Sequence, residues 1–246
     1  MSVLSDRQWP LPRRPWVMRM TWSDLLFAHW PIQPDIIARL LPDGMQLDTY
    51  DGLAWVGVVP FTMSGVSPRC CPSVPGLSRF LELNLRTYVK VNQKPGVWFF
   101  SLDAASRFAV RLARATFNLP YMDASMSLER PTDELVRYCS RRTHDGEPAA
   151  EFAASYHRDG DFRTAVPNSL EFWLTARYCL YSVDRMGRIY RGEIDHPPWL
   201  VAKAAYTEEV NTLGSGFGID FTGPPHTIVA QPIGVRAWLL SRCGNE

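Results

Sequence analysis

Phe80 to Val91 reads FLELNLRTYVKV, and its alternation decides the fold. Leu81, Leu83, Leu85, Val89 and Val91 fall on one side of an extended chain. Glu82, Asn84, Arg86, Tyr88 and Lys90 fall on the other. A period of two residues predicts a strand with one apolar face. Asn92 to Gly96 supplies a turn, and VWFFSL (97–102) supplies a partner strand. Upstream, MQLDTY (45–50) and LAWVGVVPF (53–61) flank Asp51-Gly52, the dipeptide that suits a two-residue hairpin turn. The proline-rich stretch 64–79 reads as a loop.

The pattern continues outward. ASMSLE (124–129), ELVRYCSRR (134–142) and AEFAASYH (150–157) are short strands separated by Pro131 and by HDGEP. ARYCLYSV (176–183) and RIYRGEI (188–194) form a second hairpin through DRMG, and HTIVAQPIGVRAWLL (226–240) closes with a strand or two. Helices are few. Ser23 and Asp24 offer an N-cap for Leu25 to Trp30, and Pro34 with Asp35 starts a helix that carries IIARLL. Asp103 can cap a helix from Ala104 to about Thr116, with Ala105, Phe108, Ala109, Leu112 and Thr116 as its inner stripe. Ser169 can cap a short helix holding Leu170, Phe172 and Trp173. The fold class is mainly β (α+β), with about ten strands and three or four short helices. Hairpins make the sheet mostly antiparallel, and strand number favours a closed or half-closed barrel over an open sheet with exposed edges. Residues 1–16 read as an irregular N-terminal segment and residues 17–246 as a single domain.

Composition removes several function classes. A net charge of +1 argues against nucleic acid as a partner, since neutralising phosphates takes a clustered basic excess. The longest apolar run, Leu53 to Val66, contains Pro60 and is too short to span a bilayer. The first residues, MSVLSDRQWPLPRRPW, lack an apolar core of the signal-peptide kind. Those readings predict a cytoplasmic protein with no membrane partner, and they leave homo-oligomerisation open. The five cysteines fit no zinc spacing, and the five histidines show neither HxH nor HExxH, so no metal and no cofactor are expected. GSGFG (214–218) lacks the strand and helix of a phosphate loop and reads as a flexible flap.

Several segments carry a resemblance. They are WSDLLFAHWPI (22–32), DGLAWVGVVPFTMSG (51–65), ELNLRTYV (82–89), KPGVWFFSLDA (94–104), LPYMDASM (119–126), SLEFWLTARYCLYS (169–182) and YRGEIDHPPW (190–199). Together they resemble the YqjF-like family of uncharacterised bacterial proteins, in order, from about residue 15 to 240. The resemblance implies a fold like that of acetoacetate decarboxylase, a cone-shaped barrel around a small-molecule cavity. It implies no settled reaction. The decarboxylase attacks its keto acid with a lysine whose pKa is lowered by its surroundings. Here the comparable stretch, FNLPYMD (117–123), has Tyr121 after Pro120 and no lysine nearby. Lys90, Lys94 and Lys203 are the only lysines, and all three read as solvated, so Schiff-base chemistry is not expected.

The same comparison places Glu82 on a strand that faces the cavity. Asn84 and Arg86 would share that face, with Arg86 gripping a carboxylate. The alternative is that this face meets solvent. Arg191 and Glu193 can pair across one strand face. Glu193 could polarise His196 as a base, or the group could be a buried salt bridge beside a capping histidine. Tyr121 and Asp123 could exchange protons at the cavity mouth, or could simply belong to a helix-to-strand connection. The leading expectation is a lyase or hydrolase acting on a small organic acid. Catalytic candidates are Glu193, His196, Tyr121 and Asp123, and ligand-binding candidates are Glu82, Asn84, Arg86 and Arg191. The alternative is a carrier or sensor that binds a small organic molecule without turning it over.

Overall fold

Residues 80–91 form a strand, as their alternation requires, with a partner strand along each edge. A computed structural model describes residues 6–72 and 78–244. In chain order the first strands are β1 (Met18–Ser23), β2 (Leu25–Ile32), β3 (Gln46–Leu47), β4 (Ala54–Pro68), β5 (Phe80–Val91) and β6 (Lys94–Ala104). β7 (Tyr121–Glu129), β8 (Val136–Arg142), β9 (Glu151–Thr164), β10 (Cys179–Val183) and β11 (Ile189–Asp195) follow. The last are β12 (Leu200–Asn211), β13 (His226–Ala230), β14 (Ile233–Ala237) and β15 (Ser241–Arg242). Helices α1 (Pro34–Ala38), α2 (Arg107–Phe117) and α3 (Leu170–Thr175) interrupt them.

Pairing closes the sheet twice. One ring runs β1-β14-β11-β10-β6-β5-β4 and returns to β1. The other runs β6-β7-β8-β9-β12-β13-β2-β4-β5 and returns to β6. β4, β5 and β6 belong to both. Two long strands make this sharing feasible. One edge of β4 pairs with β2 through Val58 and with β1 from Thr62 onward. Pro60, which has no N–H to give a ladder, falls between those two partners. Likewise β6 pairs in parallel with β10 at Val97 and Trp98, then with β7 from Leu102 to Ala104.

The two rings have different interiors. Leu83 and Leu85 of β5 pack with Val56 and Val58 of β4, Tyr138 of β8, and Phe152 and Tyr156 of β9 in a solid apolar core. The opposite face of β5 turns into the first ring.

Several expectations need correction. Leu25–Ile32 is a strand, not a helix. Six successive residues from Leu25 are buried on both faces, and Asp24, with φ 56°, makes the bend that precedes them. Asp51 and Gly52 do take the positive φ values of a type I′ turn, 50° and 76°. Yet only Tyr50 and Leu53 bridge across it, while Gln46 and Leu47 pair with β5. The loop forecast at 64–79 begins later, since β4 runs on to Pro68, and residues 73–77 lie outside the described residues. Helix α2 starts at Arg107 and is capped by Ser106, whose Oγ accepts from Ala109 N at 3.3 Å. Asp103 is instead buried with Arg142. Lys203 lies on the strand β12 rather than in the loop that the preceding Pro197-Pro198 would suggest. Gly214 begins a tight 3₁₀ turn at Ser215–Phe217, packed so closely that an added Cβ would meet the Ile219 carbonyl at 2.3 Å, so this segment is no flap.

Candidate functional site

The polar face of β5 lines a cavity of about 220 Å³ inside the ring that contains β1, β14, β11 and β10. Glu82, Asn84 and Arg86 all line it. Register sets what they face. On β4, Phe61 stands opposite Glu82, Val59 opposite Asn84 and Gly57 opposite Arg86. Helix α2 crosses one side, and Phe108, Ala109 and Leu112 of its predicted inner stripe meet the cavity, whereas Ala105 precedes the helix and Thr116 is exposed. Phe108 and Leu112 line the cavity yet keep 60% and 52% of their surface exposed.

Glu82 is 2% exposed, and its Oε2 accepts a hydrogen bond from Tyr121 Oη at 3.0 Å. Burial pushes its pKa up to about 8, and the Tyr121 bond opposes that rise only in part. At neutral pH the carboxyl is mostly protonated. Burial also raises Tyr121 well above an ordinary tyrosine, with Glu82 adding to the effect, so the phenol stays neutral. Asn84 is 6% exposed, and its Oδ1 has no hydrogen-bond partner.

Arg86 is the site's free cation among the described residues. One terminal nitrogen donates to Tyr88 Oη at 3.0 Å and lies 3.4 Å from the Leu174 carbonyl, while Nε is buried without a partner. The guanidinium stacks over Phe27 at 5.1 Å and Tyr88 at 5.5 Å. No described carboxylate lies within ion-pair distance of it. Arg177, which also lines the cavity, differs. It donates to Asp48 at 2.6 Å and to the Trp173 carbonyl at 2.7 Å, and it stacks on Trp173. Behind Arg86, Tyr88 Oη lies 2.7 Å from His29 Nε2. Burial holds His29 well below the ordinary histidine pKa, and the Arg86 and His226 charges push the same way, so the ring is neutral.

The remaining candidates separate. Arg191 pairs with Glu193 at 2.9 Å. Glu193 also accepts from Arg7 and from Trp9 Nε1 at 2.8 Å, and it forms an ion pair with Lys94 at 3.5 Å. Its oxygens are thereby occupied by cations and an indole. His196 stacks on Tyr178 at 4.5 Å, with Nδ1 2.8 Å from the Pro197 carbonyl and Nε2 3.4 Å from the Arg177 carbonyl. Burial lowers its pKa, although those carbonyls oppose the shift. Both residues line the cavity, but their hydrogen bonds run elsewhere and not to each other. Tyr121 and Asp123 also part. Tyr121 points into the cavity, while Asp123 binds Arg111 at 2.8 Å and His144 at 3.1 Å in a separate cleft beyond α2. Tyr121 therefore partners Glu82, a pairing that alternation along either strand could not reveal.

Sequence reasoning missed His29, Tyr88 and Arg177 as parts of the site. His29 had one signal. Gly57 lies opposite it on β4, and an added Cβ there would come within 2.5 Å of His29 Nε2. None of the three lysines lines the cavity. Lys90 pairs with Asp48 and Lys94 with Glu193, and Lys203 is exposed on β12. Among the described residues, no group of three or more His, Cys, Asp or Glu side chains could hold a metal ion. No helix of the described residues is long and apolar enough to cross a membrane.

Known proteins share this architecture. The enduracididine biosynthesis enzyme MppR complexed with pyruvate superposes with a TM-score of 0.63 at 14% identity, covering 93% of this chain and 91% of that one. An acetoacetate decarboxylase-like enzyme from Sphingomonas wittichii RW1 gives a TM-score of 0.61 at 12% identity, covering 97% and 99%. At such identities the likeness is one of fold. By sequence, the chain is 45% identical to the uncharacterized protein YqjF of Bacillus subtilis (strain 168) over 204 residues, 83% of each chain. The family model DUF2071 matches residues 19–233, a span that runs from β1 to β14 and contains every cavity residue of β5. The chain therefore belongs to DUF2071, a family of uncharacterized conserved proteins.

Proposed function

We propose that the cavity binds a small organic acid, with Arg86 holding its carboxylate and Glu82 donating or accepting a proton. The observation that carries this reading is Arg86 itself. It is a guanidinium with no carboxylate partner in a largely apolar chamber, beside an Asn84 oxygen that also lacks a partner. Charge-assisted bonds from arginine to a carboxylate are strong where water is scarce. Glu82, protonated near neutrality and oriented by Tyr121, can give its proton to a ligand oxygen and take one back from the product or from solvent to reset the site. The fold neighbours support a small acid, since one was complexed with pyruvate. Because no lysine lines the cavity, the chemistry is a lyase- or hydrolase-type proton transfer without a Schiff base.

The test uses 2-oxo, 3-oxo and unsubstituted carboxylates of graded chain length, with binding followed by calorimetry and turnover by proton NMR. Arg86→Gln should weaken binding by about tenfold or more, the scale of one lost charge-assisted bond. Glu82→Gln should keep binding and lose turnover. Equal affinity in wild type and Arg86→Gln would overturn the carboxylate site. Binding with every ligand recovered unchanged would instead identify a carrier.

A further inference from the structure

The order of side chains along β5 carries information about the ligand's length. Arg86 and Glu82 are four residues apart on one strand face, so their Cα atoms are separated by about 13 Å at ~3.3 Å per residue. The side chains do not close that gap. Arg86 is drawn onward along the strand, donating to Tyr88 Oη and approaching the Leu174 carbonyl. Glu82 is held by Tyr121, across the sheet on β7. A three-carbon acid seated on Arg86 therefore stops short of Glu82.

Beyond Glu82 the lining is apolar apart from the Trp22 indole N–H, which is buried without a partner. Phe80 follows on β5, and Met63 stands opposite it on β4. Trp22 stands opposite Met63 on β1, and Met20 and Met18 continue that strand's face into the cavity. Unbranched thioether side chains adapt to the shape of an apolar guest. Along one line the site thus offers a cation, an amide oxygen, a neutral carboxyl and a methionine-lined end.

We infer that the acid this cavity accepts is long and amphipathic: a long-chain carboxylate whose apolar tail passes Glu82 and runs toward Met63, Met20 and Met18. An oxygen function partway along the chain would meet Asn84 and Glu82. This inference rests on the Arg86 reading above and narrows it away from two- to four-carbon acids.

The experiment is a calorimetric series of acetate, pyruvate, butyrate, octanoate, dodecanoate and hexadecanoate, on wild type, Arg86→Gln and Met20→Trp. Affinity should rise about fourfold per added methylene until the methionine end is filled. Arg86→Gln should weaken every member by about tenfold. Met20→Trp fills the far end, so it should penalise dodecanoate and hexadecanoate while leaving acetate and butyrate unchanged. If Met20→Trp fails to fold, Met18→Phe, at a partly exposed position, serves the same purpose. Equal affinity for acetate and octanoate, both still dependent on Arg86, would overturn the length inference and leave the carboxylate site standing. Long acids that bind regardless of Arg86→Gln would overturn the carboxylate site itself. No binding by any member would overturn both.

Discussion

The Tyr121 hydroxyl donates to Glu82 Oε2 across 3.0 Å, joining β7 to β5 inside the cavity. This bond favours the ionised carboxyl, while burial favours the neutral one and prevails. Tyr121→Phe should therefore raise the Glu82 pKa further above about 8. Carbon-13 titration of the Glu82 carboxyl is the measurement, and an unchanged or lowered midpoint would contradict the geometry.

Stability should carry the same signature. Glu82 has a pKa of about 8 in the fold against 4.5 in an ordinary setting, so between those values the folded chain holds a proton that the unfolded chain has released. Stability is then highest below pH 4.5 for this group and falls as pH rises toward 8. The slope from one such group is at most about 1.4 kcal/mol per pH unit. In urea titrations Glu82→Gln should flatten this part of the profile and should be more stable than wild type at pH 8.

Arg142 and Asp103 form a bidentate pair at 3.0 and 3.3 Å, with side chains 3% and 1% exposed. Breaking it from one side leaves a buried charge unpaired. Arg142→Met or Asp103→Leu alone should cost about 3–5 kcal/mol, and the double variant should cost less than either. Denaturant unfolding of all three, arranged as a cycle, is the check.

Gly57→Ala should destabilise by about 1–3 kcal/mol, because the new carbon would lie 2.5 Å from His29 Nε2 in a filled region. The same clash would disturb the His29–Tyr88 contact behind Arg86 and weaken carboxylate binding. Gly234→Ala, whose added carbon would meet nothing within 4 Å, is the control and should leave both properties unchanged.

How much of this was legible depends on how local each signal was. The leucine and polar rows of β5 are written at spacing two, so the strand and its two faces could be read directly. Leu25–Ile32 could not, because burial on both sides erases alternation and a short apolar run then suits a helix equally well. Asp103 looked like a cap because it precedes α2, but its partner lies 39 positions away on β8. The role of Glu193 was decided still farther off. Arg7, 186 positions earlier, occupies the carboxylate that His196 would have needed. Arg86 was legible as a residue facing inward, whereas its lack of an acid partner is a property of the whole interior.

Because β4, β5 and β6 serve two rings at once, the molecule divides its labour along a single wall. The filled ring behind that wall can carry most of the folding free energy. Side chains on the hollow side are then freer to change during evolution, so relatives could exchange ligands by substituting at the even-numbered positions 80–86 without rebuilding the scaffold. The same wall sets a limit. Deleting one residue from β5 would move the leucines into the void and drive Glu82 and Arg86 into solid packing, so lineages should vary this strand by replacement and never by changing its length.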